Sequence, residues 1–245
     1  MPAHRDPAGR SLQDHWRPSV AVDVAVLTVL RDGRAGRLAV LLHRPPSGHA
    51  AEKWALPGTF LHEGELLAEA AFRALRAKTG VRGKRPRQLE VFDALDRDDR
   101  GRVLSVAHVD LVPEERLTPG EQALLVPIDP RSRNPVLPDG QRALPYDHDR
   151  IVRHAVLWAR RRYEDRADPD GLLGETFTLY ELRRLHEAIA GRERQKDTFR
   201  RAMRHDVVGL GELDPRGGTV GKPAELHRRA TRAEVQAAKE RRTTR

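Results

Sequence analysis

The sequence predicts an α+β chain in two parts, and three observations lead to that class. Runs of β-branched apolar residues crowd into the first 140 positions, with one strong helical pattern among them. Amphipathic helical patterns then follow in close succession. The positive charge collects at the far end: from Thr178 to Arg245 there are 17 Lys plus Arg against 10 Asp plus Glu, so +7 of the net +9 lies in the last 68 residues. On this reading residues 18–140 form a sheet-based domain, residues 145–230 a small basic helical domain, and residues 1–17 and 231–245 flexible tails.

Composition narrows the function classes. A charged fraction of 33% with 4% aromatics leaves Leu, Val and Ala to build the core, and a pI near 10.5 points to a polyanionic partner. The absence of cysteine excludes disulfides and thiolate metal sites. The first residues, MPAHRDPAGRSLQDHW, hold no apolar run, and no stretch of about 18 apolar residues occurs. A soluble, cytoplasmic protein without membrane contact is therefore expected.

Ser19–Leu30 is almost continuously apolar and β-branched, as a central strand buried on both faces should be. After the turn RDGRAGR, Leu38–His43 reads as its hairpin partner, and residues 44–53 as a loop. Gln88–Leu95, Val103–Val112 and Ala123–Ile128 read as further strands, with DRDDRGR (96–102) as a solvated turn and His108 as a core histidine. Asp147 is a plausible N-cap for a helix with Ile151, Ala155, Trp158 and Ala159 on one face.

Between the hairpin and the later strands lies WALPGTFLHEGELLAEAAFRALRAKTGV, Trp54 to Val81. It resembles the Nudix box, G-x5-E-x7-R-E-U-x-E-E-x-G-U with U aliphatic, with Thr59 at the first Gly, Glu65 at the first Glu, Arg73 at the Arg, and Gly80 and Val81 at the close. In box enzymes the glutamates at i, i+3 and i+4 share a helix face and gather hard cations around a pyrophosphate. Here those positions hold Ala74, Ala77 and Lys78. Pro57, Gly58 and Gly64 keep the turns, and Glu69 and Arg73 are spaced to pair. The resemblance implies a binding cleft that has lost its catalytic ligands, so no catalytic residue and no metal site are expected, beyond weak Mg²⁺ accompanying a bound nucleotide. The rival expectation is an active pyrophosphohydrolase whose metal ligands have moved to Glu63, Glu65 and Glu69.

The C-terminal part reads as a helix-turn-helix with a wing. Thr178 and Glu181 have capping-box spacing, with Leu179, Leu182, Leu185 and Ile189 on one face and Gly191 as the stop. A helix over 195–204 follows, anchored by Phe199 and Met203 and carrying Lys196, Thr198, Arg200, Arg201 and Arg204 as candidate DNA contacts. Behind it, 207–228 suggests two strands joined by a Gly-rich tip with Arg216 and Lys222. A solvated basic face on a helical bundle is the competing reading.

The two halves together resemble the NrtR family of Nudix-related transcriptional regulators, through FTLYELRRLHEAIAGRERQKDTFRRAM, GKPAELHR and LPYDHDRIV. That resemblance implies a Nudix α/β/α sandwich on a mixed sheet followed by a winged helix-turn-helix. It implies a homodimeric repressor of NAD-metabolism genes that binds double-stranded operator DNA and responds to ADP-ribose or a related nucleotide. In a cleft of that kind Arg44 and Arg73 are candidate phosphate partners and Trp54 or Phe60 candidate stacking surfaces, beside Gly58 and Glu65. Thr198 and His227 depart from the family's usual Asn and Tyr.

Overall fold

The computed structural model describes residues 5–32, 35–45, 47–48, 50–79, 86–215 and 223–243. In chain order the elements are β1 (Ser19–Asp32), β2 (Ala35–His43), β3 (Gly58–Phe60), α1 (Leu67–Thr79), β4 (Arg87–Phe92), β5 (Val103–Leu111) and β6 (Ala123–Pro127). Then come α2 (His148–Arg162), β7 (Thr176–Thr178), α3 (Leu179–Ala190), α4 (Lys196–Met203), β8 (Val207–Leu213), β9 (Glu225–Arg229) and α5 (Arg232–Thr243). No helix among the described residues is long and apolar enough to cross a membrane.

The larger sheet runs β4-β5-β1-β2-β6 with β3 added to β1, and it is mixed because β1 and β5 are parallel while the other pairs are antiparallel. β1 is central and alternates its two faces. Val22, Val24 and Val26 pack with Ala70, Ala71 and Leu75 of α1. Ala25, Leu27 and Val29 pack with Ile151, Val152, Ala155 and Val156 of α2. Two apolar faces explain why the strand reads as a continuous apolar run, and the result is the expected helix-sheet-helix sandwich.

The smaller sheet, β7-β9-β8, supports α3 and α4 around Phe177, Leu182, Phe199 and Met203. α3 opens on a complete Thr178–Glu181 capping box and ends at Gly191 with φ 70°, both as the sequence predicts. Its other face belongs elsewhere: Leu185 and Ile189 lie in the sandwich core. Gly36 of β2 permits this, since a Cβ there would crowd Val29 and Ala188 of α3.

Three expectations need correction. The sequence reading places α2 within residues 145–230, yet it forms the second helical layer of the sandwich, because its apolar face packs in the sheet core, which Leu185 and Ile189 of α3 join, and not in the cluster around α4. The tails are not featureless: Ser11 and Asp14 form a capping box on a short 3-10 turn at Leu12–Asp14, and α5 is tied down by Thr231 and by an Arg228–Glu234 ion pair at 2.8 Å. The 96–102 turn folds inward, as described below. Gly80 and Val81, with the wing tip holding Arg216 and Lys222, lie outside the described residues.

Candidate functional site

A cleft of about 300 Å³ opens between β3, the end of β2, the 96–102 turn and the start of α2. That volume is at the lower end of the roughly 300–1,000 Å³ range of small-molecule sites. Asp23, the one charge in the apolar run of β1, sits at its base and is 6% exposed. Its carboxylate accepts from Ser105 Oγ at 2.6 Å and from Arg97 Nη2 at 3.3 Å, and lies 3.4 Å from His148 Nε2. Burial alone would raise its pKa, but His148, Ser105 and Arg97 together hold it down, to about 2. β3 can approach this carboxylate because residue 58 is glycine; a Cβ there would collide with it.

Arg97 is the hub. It bridges Asp23 and Asp147, with Nη2 2.8 Å from the Asp147 carboxylate, so Asp147 spends its side chain on Arg97 and makes no capping bond to α2. His148 Nδ1 instead accepts the Leu56 N–H at 3.1 Å, tying α2 to the box loop. Asp98, also buried, takes both Nε and Nη2 of Arg100, whose guanidinium stands 5.5 Å from the rings of Phe60 and Tyr146. Tyr146 is held at φ 57° in the left-handed region. Burial, then the nearby Lys78 ammonium, depress the His43 pKa to about 4, so that imidazole is neutral near pH 7.

Of the three replaced box positions, Lys78 alone lines the cleft, donating to the Gly58 carbonyl; Ala74 is buried and Ala77 is exposed, and neither lines it. Among the predicted effector residues, Gly58 and Phe60 line the cleft, while Arg44, Trp54, Glu65 and Arg73 do not. Arg44 packs over Trp54 at 5.5 Å and donates to the Glu52 carbonyl at 2.6 Å. Arg73 does not pair with Glu69. It bonds Glu65 at 2.7 Å, Thr59 Oγ1 and the Phe60 carbonyl, stapling the box loop to α1, while Glu69 accepts the Leu66 N–H. That staple, followed by the His62 N–H, holds the Glu65 pKa near 2. His108 is buried and bonded to the Val106 carbonyl of its own strand, as expected.

The residues missed were Asp23, His43, Arg97, Asp98, Arg100, Tyr146 and His148. Asp23 had a signal, a lone carboxylate within an apolar strand, and so did the clustered YDHD. Arg97 and Asp98 had none, because a charged turn reads locally as solvated.

At the opposite end, α4 buries Phe199 and Met203 and exposes Lys196, Thr198, Arg200 and Arg201, with Arg204 exposed just beyond it. Gln195 caps it by accepting the Thr198 N–H at 2.6 Å. The Gly191 turn precedes this helix and the β8–β9 pair follows it, the element order of a recognition helix with a wing.

The comparisons with known proteins agree with both ends. The NUDIX domain model matches residues 21–129, and the NrtR DNA-binding winged helix domain model matches residues 171–228. The ADPR responsive transcriptional repressor NtrR of Acinetobacter baylyi is 28% identical over 221 residues, covering 88% of this chain and 83% of that protein. An ADP-ribose pyrophosphatase of Methanocaldococcus jannaschii is 30% identical over 144 residues, covering 59% of this chain and 76% of its own. The crystal structure of Shewanella oneidensis NrtR complexed with a 27mer DNA superposes with a TM-score of 0.67 at 25% identity, covering 86% of this chain and 93% of that one. Fold and site thus define a Nudix-type domain joined to a winged helix. The chain belongs to the NrtR family of Nudix-related transcriptional regulators.

The Nudix pattern implies divalent cations, and the donor set does not fit them. Positions 74 and 77 offer methyl groups, position 78 offers an ammonium, and among the described residues no group of three or more His, Asp or Glu is placed to hold a metal.

Proposed function

We propose that this chain is a DNA-binding transcriptional repressor that releases its operator when ADP-ribose or a related nucleoside diphosphate fills the Asp23–Lys78 cleft, and that it does not hydrolyse that ligand. The observation that carries this reading is the pairing, through a helix α3 that enters both cores, of a cation-lined cleft lacking, among the described residues, an acidic ligand set with an exposed basic recognition helix. Two relatives support it, one described as a repressor responsive to ADPR and one crystallised with DNA. The operators belong to NAD-metabolism genes. Two copies act together, since one eight-residue helix reads few base pairs.

The coupling runs along α2. Its first turn contributes His148 to the cleft, next to Asp147 on Arg97. Fifteen residues later, about 22 Å away at 1.5 Å per residue, Tyr163 packs edge-on against His186 of α3 at 5.4 Å between ring centres. His186 in turn packs on Phe199 of α4 at 5.0 Å. A ligand that shifts Arg97 or His148 tilts α2, and the tilt reaches the recognition helix through two aromatic contacts. Release then requires the ligand to favour the arrangement that misplaces the helices on DNA.

An electrophoretic shift assay with the upstream DNA, with and without ADP-ribose, tests the proposal. The retarded band is expected to vanish as ADP-ribose is added, and a band indifferent to it removes ADP-ribose as effector. The pyrophosphatase relative favours a second reading, an active hydrolase. Against it, Glu65 is committed to Arg73 and to the His62 N–H. Incubation with ADP-ribose and Mg²⁺ or Mn²⁺ is expected to leave the substrate intact; robust turnover abolished by Glu65→Gln would establish the enzyme instead.

A further inference from the structure

We infer that the cleft is a metal-independent diphosphate site, in which the Lys78 ammonium supplies the charge neutralisation that divalent cations supply in box enzymes. The inference rests on the reading of the cleft as a nucleotide site and adds how the phosphates are held.

Its basis is a contrast among the cations of the cleft. Arg97 is neutralised by Asp23 and Asp147, and Arg100 by Asp98. Lys78 has no carboxylate partner among the described residues; it donates to the Gly58 carbonyl, which leaves donors of its three-proton head for an incoming oxygen. Lys78 is exposed as a residue while its head reaches into the cleft, where partial desolvation outweighs the attraction of Asp23 and lowers its pKa. A phosphate oxygen placed there restores the lost solvation through a charge-assisted bond.

The carboxylates that a metal would need are occupied. Asp23 accepts from Ser105 and Arg97 and faces His148, while Asp98 takes both arms of Arg100. A divalent cation entering here would displace these bonds and sit beside Lys78. A diphosphate meets an unpaired ammonium and, next to it, the Arg100 guanidinium above Phe60 and Tyr146. Where catalysis recruits mobile cations, this chain carries a fixed one on the last turn of α1.

The test is calorimetric titration of the full chain with ADP-ribose and, separately, with inorganic pyrophosphate, in excess EDTA and then in Mg²⁺. Binding is expected in EDTA with an affinity that Mg²⁺ leaves unchanged or weakens. Lys78→Ala and Lys78→Glu are expected to weaken metal-free binding by about tenfold or more, and Mg²⁺ should restore part of it in Lys78→Glu alone. Thermal melting of each variant shows that it has folded, which the outward position of Lys78 on α1 favours. Binding that disappears in EDTA overturns the inference, as does full affinity in folded Lys78→Ala. The two readings fail separately. ADP-ribose bound only with Mg²⁺ leaves the effector standing and removes the fixed cation; pyrophosphate bound without metal while ADP-ribose is refused does the reverse.

Discussion

Arg97 shows what a single residue does here. With 6% of its surface exposed, it joins β1, the 96–102 turn and the start of α2 through Asp23 and Asp147. Removing one partner from a buried ion network leaves the others charged and unpaired, so Arg97→Met is expected to destabilise the fold by about 3–5 kcal/mol in urea unfolding. A companion prediction concerns Gly58. Gly58→Ala drives a methyl group into the Asp23 carboxylate, and a lower melting temperature together with weakened nucleotide binding is expected. At this scale the sequence was legible only where chemistry was locally anomalous. Asp23 stands out within SVAVDVAVL, but the partners of Arg97 lie 74 and 50 residues away, and no local pattern distinguishes a turn that folds inward from one that faces water.

Secondary structure was far more readable, because capping and periodicity are short-range. The Thr178–Glu181 box, the Gly191 stop and the Phe199–Met203 anchors all follow from spacings of three or four residues. Thr178→Ala should cost about 1 kcal/mol in thermal or denaturant unfolding. On α4, Arg200 and Arg201 project into solvent. Replacing either by Ala is expected to weaken DNA binding and to reduce the slope of log affinity against log salt by about 1, as loss of one phosphate contact does; an unchanged slope would take that arginine off the backbone. What periodicity could not assign was allegiance. The apolar stripe of α2 fits either neighbouring core, and only the three-dimensional match of Ile151, Val152 and Ala155 to β1 decides it.

For the molecule as a whole, three buried histidines set the response to acid, His43, His186 and His108, the last also lowered by burial. Burial depresses the pKa of His43 to about 4 and of His186 to about 3, with Lys78 and Arg194 respectively adding to the effect, against an ordinary value of 6.5. The unfolded chain therefore takes up protons first. Stability is fully present above about pH 6.5 and declines as the pH falls toward 4 and below. Melting temperatures measured from pH 7.5 to 4.5 are expected to drop through that window, and His186→Phe, which keeps a ring between Tyr163 and Phe199, should make the drop shallower. The layout of two functional ends was legible in the charge distribution and the motifs. Their mechanical union was not, since the docking of α3 on β2 depends on the surface of a strand some 150 residues earlier.

That docking limits how the molecule can be dismantled. Because Leu185 and Ile189 complete the interior of the sandwich while Leu182 completes that of the reader, α3 is held in common by both. A fragment beginning near Gly171 would emerge with a greasy stripe open to water, and the remainder would lose part of its lining. Grafting the reader onto a foreign sensor would therefore require the receiving sheet to offer a glycine-floored seat like that of Gly36.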